Sequence, residues 1–162
     1  MRSESTPAGR SWIGTSGYAY PGWRRRFYPP ELPAREQLSF ASQRFQSIEI
    51  NRSFYALLSP AVCQAWYAQT PDDFVFALKG SRFITHIKKL RDVEQALANF
   101  FASGPLALAD KLGPIVWQLP ASTRLDAERL ASFLRQLPRT TREAAELARG
   151  HDARVPEAYV AD

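Results

Sequence analysis

Four short apolar runs recur along the chain, and each is followed by a longer stretch with helical spacing. "WIG" (residues 12–14), "SIEI" (47–50), "FVFAL" (74–78) and "PIVWQLP" (114–120) have strand length and strand composition. A helix is expected over about 34–45, with Leu38, Ala41 and Phe45 on one face. A second opens with Ser59 as N-cap and Pro60 behind it, and its apolar face is Val62, Ala65 and Trp66. Asp92 is placed to cap a third, whose stripe is Val93, Leu97, Phe100 and Phe101, with Gly104 at its end. Asp126 is placed to cap a fourth, with Leu130, Phe133, Leu134 and Leu137 inward and Pro138 as the stop. A capping-box pattern at Thr140 and Glu143 opens one more short helix, closed by Gly150.

A strand–helix cycle repeated four times dictates parallel strands, because a parallel pair needs a long crossover and a helix supplies it. The fold class is therefore α/β, built from about four βα units. Two architectures satisfy the pattern: an open doubly wound sheet, or an arc of a parallel (β/α) barrel. The first βα turn, "GTSGYAY", has two glycines three apart and then aromatics. It lacks a G-x-G-x-x-G loop, so a dinucleotide site is a weak reading.

With 162 residues and 45% hydrophobic content, the chain can bury one proper core. Its first ten residues are polar, without an apolar segment of signal-peptide type, and read as a flexible tail. No apolar run approaches the roughly 20 residues that span a bilayer, so no membrane role is expected. The single cysteine, Cys63, excludes an internal disulfide framework and fits a reducing, cytoplasmic setting. It lies in a helical segment, where a small core residue is the plainer reading than a nucleophile. The net charge is +5, carried mostly by arginine. Two basic clusters stand out, "RRR" at 24–26 and "RFITHIKKLR" at 82–91. Either could meet phosphate, and either could be solvated surface.

Side chains alternate along a strand, which assigns a direction to the polar residues in these runs. In "SIEIN", Ile48 and Ile50 share one face, and Ser47, Glu49 and Asn51 share the other. Phe74, Phe76 and Leu78 oppose Val75, Ala77 and Lys79; Ile115, Trp117 and Leu119 oppose Val116 and Gln118. The bulky sets suit a helix layer. The other sets begin small and end polar, with Glu49, Lys79 and Gln118 near the C-terminal ends of three successive strands. That is the layout of a barrel interior, whose polar groups converge where active sites are built. Strands about 4.8 Å apart would bring Glu49 and Lys79 within mutual reach if adjacent. Such a pair could be an acid/base or anion-orienting site, or a structural ion pair in the barrel mouth.

Four segments, "GTSGYAYPGWRRRFYP", "EINRSFY", "FALKGSRFITH" with "KKL", and "KLGPIVWQLP", together resemble the signature segments of the YecE-like family, domain of unknown function 72. The resemblance covers roughly residues 12–138 and implies a TIM barrel with a pocket at the strand ends. Carried over by motif, the ligand-binding residues would be Tyr18, Trp23, Asn51, Tyr55, Arg82 and Gln118. The catalytic candidates would be Glu49, Lys79 and His86. A full barrel takes about 250 residues and eight strands, whereas this chain offers four. The resemblance therefore implies an N-terminal half, an incomplete barrel. The expected organisation is a tail over 1–10, a half barrel over 11–138, and a C-terminal helix with a truncated tail over 139–162.

The chemistry narrows accordingly. Only two histidines occur, His86 and His151, and no H-x-H, H-E-x-x-H or Cys–His cluster does, so no metal site is expected from this chain. No cofactor is implied. His86 could act as a general base or anchor its loop. One function expected is a hydrolase or isomerase acting on a phosphorylated small molecule or nucleic-acid fragment. In it Lys79, Arg82 and Lys88 hold phosphate, Glu49 moves protons, and Tyr18, Trp23 and Tyr55 stack on a ring. The alternative is a non-catalytic ligand-binding or accessory protein, or an inactive fragment. General nucleic-acid binding along a basic rim is a weaker third idea. A homodimer is the partner expected if two halves close a barrel.

Overall fold

The computed structural model describes residues 11–159, so the expected tail over 1–10 lies outside the described residues, as do 160–162. Strand β1 (Gly14–Ser16) is followed by a long aromatic loop and helix α1 (Gln37–Ser42). Then come β2 (Ser47–Ile50), the short α2 (Arg52–Tyr55), α3 (Pro60–Ala68) and β3 (Val75–Lys79). A single π-helical turn (Phe83–Ile87) leads to α4 (Glu94–Ala102). A 3₁₀ stretch (Pro105–Lys111), β4 (Leu112–Val116), α5 (Ala127–Gln136) and α6 (Thr141–Ala148) complete the order.

All strands are parallel and lie in sequence order, β1-β2-β3-β4. The sheet does not close, so the architecture is an incomplete (β/α) barrel, as the alternation and the four-strand count require. Register sorts the two faces. Ile48 and Phe76 pair, as do Ile50 and Leu78, and all four are at most 3% exposed. They face Cys63 and Trp66 of α3 and Leu97, Phe100 and Phe101 of α4, within one core. The opposite face carries Ser16, Glu49, Ala77, Lys79 and Val116, and its last member stands 42% exposed.

Local chemistry explains most element ends. Ser59 accepts from the Val62 N–H with Pro60 behind it, Asp126 accepts from Arg129 N–H, and Thr140 accepts from Glu143 N–H. Gly104 follows α4 at φ 131°, a conformation that glycine alone adopts freely.

The differences from the sequence reading have physical reasons. The helix expected over 34–45 is a 3₁₀ turn (Ala34–Glu36) joined to the shorter α1, and Phe45 lies beyond it. The segment after β2, read as loop, contains α2, whose Ser53 hydroxyl donates to the Ile50 and Lys79 carbonyls. Asp92 does not cap α4; Val93 takes that position without a side-chain bond, and Asp92 sits at φ 48°. On α3 and α5, Ala65 and Leu134 face solvent, the latter 51% exposed. Strand β4 spans only Leu112–Val116. Phe76 pairs with Leu112 and Leu78 with Ile115, so β4 carries one extra residue there, a bulge beside Pro114. Proline lacks the N–H a regular ladder needs, and a bulge accommodates it.

Candidate functional site

The site begins with register. Ser16 lies opposite Glu49 across β1 and β2, and Ala77 opposite Glu49 across β2 and β3. Lys79, two residues beyond Ala77, therefore emerges on the same face, diagonal to Glu49. Its Nζ stands 3.7 Å from Glu49 Oε1, with the two side chains 20% and 24% exposed. The Ser16 hydroxyl donates to the same Oε1 at 2.8 Å, and Asn51 Nδ2 donates to Ser16 Oγ at 2.9 Å. The result is a continuous polar chain, Asn51–Ser16–Glu49–Lys79. The other carboxylate oxygen, Oε2, accepts no hydrogen bond among the described residues.

The loop after β3 supplies the second part. Phe54 of α2 lies under Lys79 Nζ at 5.6 Å and meets the His86 ring edge-on at 5.1 Å. His86 Nδ1 is 2.8 Å from Thr85 Oγ1, which holds the ring in place. Tyr55 is 69% exposed, with the Arg82 guanidinium 6.0 Å over its ring. Glu49, Asn51, Lys79, Tyr55, Arg82 and His86 thus share the rim at the ends of β2 and β3.

Tyr18 and Trp23 stand elsewhere. Trp23 is packed among Tyr20, Phe27 and Tyr28, with ring centroids 5.0 to 5.9 Å away. Tyr18 sits beside Ile50, Val62 and Trp66 in a separate cleft of about 430 Å³, which Asn51 also borders. Burial pushes the Tyr18 hydroxyl above its ordinary pKa, against smaller opposing effects of Trp66 and Arg52. Tyr28, whose hydroxyl donates to the Tyr18 carbonyl at 2.5 Å, is pushed up to about 12, chiefly by burial. Most of these aromatics fasten the first loop down. Gln118 is exposed, two residues beyond the end of β4.

Ser16 is the member that motif reading missed. Its signal was present: "GTS" continues "WIG" in strand alternation, and a serine two residues past Gly14 falls on the face of Glu49. Among the described residues, no group of three or more His, Cys, Asp or Glu comes together as a metal site, and no helix is long and apolar enough to cross a membrane.

A parallel strand–helix sheet with its polar side chains gathered at the strand C-termini defines a TIM-barrel-type α/β protein, here with an unclosed sheet. The chain belongs to the family described as "Protein of unknown function DUF72", whose model matches residues 12–150. It is 31% identical over 111 residues to the UPF0759 protein YecE of Escherichia coli K12, covering 68% of this chain and 38% of that one. It is 25% identical over 114 residues to the UPF0759 protein YunF of Bacillus subtilis, covering 67% and 39%. Among solved structures, a DUF72 family protein from Thermotoga maritima superposes with a TM-score of 0.64 at 25% identity, covering 77% of this chain and 50% of that one. A DUF72 family protein from Enterococcus faecalis gives 0.60 at 16% identity, covering 77% and 45%. The chain thus spans less than half the length of the curated relatives it matches.

Proposed function

We propose that the strand-end cluster is a ligand site in which Glu49 moves a proton and Lys79 meets negative charge. The reaction class is a hydrolase or isomerase acting on a phosphorylated small molecule or nucleic-acid fragment. The polar chain Asn51–Ser16–Glu49–Lys79 carries the reading. Oε1 is held by Ser16 and Lys79, which orients the carboxylate and leaves Oε2 to take a proton from a ligand. Lys79 stands where charge would develop on the ligand once that proton leaves. Arg82 and the exposed ring of Tyr55 offer a phosphate contact and a stacking surface on the same rim. His86, fixed by Thr85 and Phe54, is a second proton-handling group.

One observation favours a second reading, binding without turnover. The pair stands on an open sheet face with about a fifth of each side chain in water, and proton transfer chemistry gains from a closed, dry site. Comparing Glu49→Gln with the unaltered chain separates the two, using a panel of sugar phosphates and nucleoside monophosphates. Catalysis predicts unchanged binding and a turnover loss of roughly 10²- to 10⁴-fold. Binding without any turnover by either protein would establish the second reading. If Glu49→Gln turns over its substrate at the original rate, the carboxylate has no catalytic role.

A further inference from the structure

Between the loop leaving β3 and the loop leaving β4 lies a groove of about 440 Å³. One wall is Thr85 with residues 89–91, and the other is the segment around 119–125 with the first turn of α5. Lys89, Arg91 and Arg124 line it with no ion-pair partner among the described residues. A fourth cation, Arg129, is held by Asp126 at 2.6 Å, and Asp126 also accepts from the Arg129 N–H as the cap of α5. The one carboxylate in the lining is thereby neutralised by its own helix. Three positive charges without an ion-pair partner among the described residues remain, beside the hydroxyls of Ser122 and Thr123.

Apolar surface completes the groove. Leu90, Leu119 and Leu130 form its flanks, and Leu125 stands 85% exposed along it. The basic wall also has an unusual backbone. A π-helical turn precedes it, and Lys89, Leu90 and Asp92 follow at φ 50°, 66° and 48°. Side chains other than glycine adopt that region at a cost, and such residues gather at ligand clamps. Here the conformation buries Leu90 and leaves Lys89 and Arg91 exposed on either side of it.

We infer that this groove binds a small phosphate monoester with an apolar body. Three cations lining one groove beside hydroxyl donors match a dianionic phosphoryl group. The leucines match the organic part, and the volume lies in the range of small-molecule sites, about 300–1,000 Å³. The inference goes beyond the reading of Glu49 and stands without it, because no charged group is shared between the two places.

Calorimetric titration of the chain with phenyl phosphate tests it, with phenol and inorganic phosphate as controls at constant ionic strength. Saturable binding of phenyl phosphate is expected, weaker for inorganic phosphate and absent for phenol. Arg124→Gln and Lys89→Gln should each weaken it on the order of tenfold, the value of one charge-assisted hydrogen bond. Both residues are exposed, and glutamine at position 89 meets the same backbone strain as lysine, so the folded state, checked by circular dichroism, should persist. Glu49→Gln should leave the affinity unchanged. The assignment falls if binding is absent or if both groove variants bind as before. It also falls if Glu49→Gln abolishes binding, which moves the phosphate to the other cluster. Single-stranded oligonucleotides binding more tightly with increasing length would overturn it in favour of a nucleic-acid surface.

Discussion

Glu49 and Cys63 show how opposite environments treat two residues that both look reactive. The Glu49 side chain is 24% exposed on the open sheet face, whereas Cys63 is 0% exposed on the inner side of α3. Burial raises the Cys63 thiol from its ordinary 9.0 to about 12. The thiolate is the nucleophile, so in the native chain Cys63 should resist iodoacetamide at pH 8 and react stoichiometrically only in denaturant. Rapid native labelling would refute the buried position. The shift also sets a pH dependence. The folded state holds its proton longer than the unfolded chain, so this contribution is complete below pH 9 and is lost as pH rises toward about 12. Urea midpoints measured from pH 8 to 11 should fall steadily, and Cys63→Ala should flatten that slope. At this scale the sequence was informative wherever alternation sufficed: Glu49 and Lys79 were placed by counting, and Cys63 by its helical neighbours. Tyr18 and Trp23 were not, because side chains in a long loop obey no period and their neighbours come from distant segments.

Helix and strand ends depend on bonds a few residues long, which is why the caps at Ser59, Asp126 and Thr140 could be read from spacing. Lys111 is the contrary case. Only 2% exposed, it reaches from the start of β4 to the end of α3 and donates to the Tyr67 and Thr70 carbonyls at 2.7 and 2.8 Å. It caps a helix some forty residues away, so no local pattern announces it. Lys111→Met keeps the stem and removes the donors, leaving the Thr70 carbonyl without its partner while that of Tyr67 keeps the Thr70 hydroxyl at 3.2 Å. A loss of about 1–3 kcal/mol in chemical denaturation is expected, and an unchanged midpoint would mean the Thr70 carbonyl finds another donor. Asp92 fails as a cap for a related reason. The turn that swings the basic loop into α4 forces its backbone to φ 48°, where it cannot serve as an N-cap.

Among the described residues the sheet has two unpaired edges, β1 and β4, and an open inner face. Ile13 beside β1 is 71% exposed and Val116 on β4 is 42% exposed, an apolar display that a closed barrel would hide. Unpaired N–H and C=O groups on an edge strand recruit other strands. The chain is therefore expected to associate. Light scattering after size exclusion should give twice the 18.3 kDa of one chain or more, and a clean monomer at tens of micromolar would show that the edges are protected. A discrete dimer would make the Glu49 cluster a candidate for a site shared between copies.

Periodicity settled the number and order of the strands, their parallel sense, and which face carries Glu49, Lys79 and Val116, because these follow from side-chain geometry repeated along a few residues. The bounds shifted, with β1 at Gly14–Ser16 rather than 12–14, β4 ending at Val116, and α2 formed where a loop was expected. Local bonds announced the caps at Ser59, Asp126 and Thr140, but not the failure of Asp92. The family assignment rested on four ordered motifs, each tied to a strand end. Contact decided the rest. The chain Asn51–Ser16–Glu49–Lys79 draws on three strands and a loop, and its distances exist only after the sheet assembles. The basic groove draws on two loops distant in sequence, Thr85 to Arg91 and Leu119 to Leu125, brought together by the parallel pairing of β3 and β4. Register and long-range packing are set by the free energy of the whole core, so no window of sequence displays them.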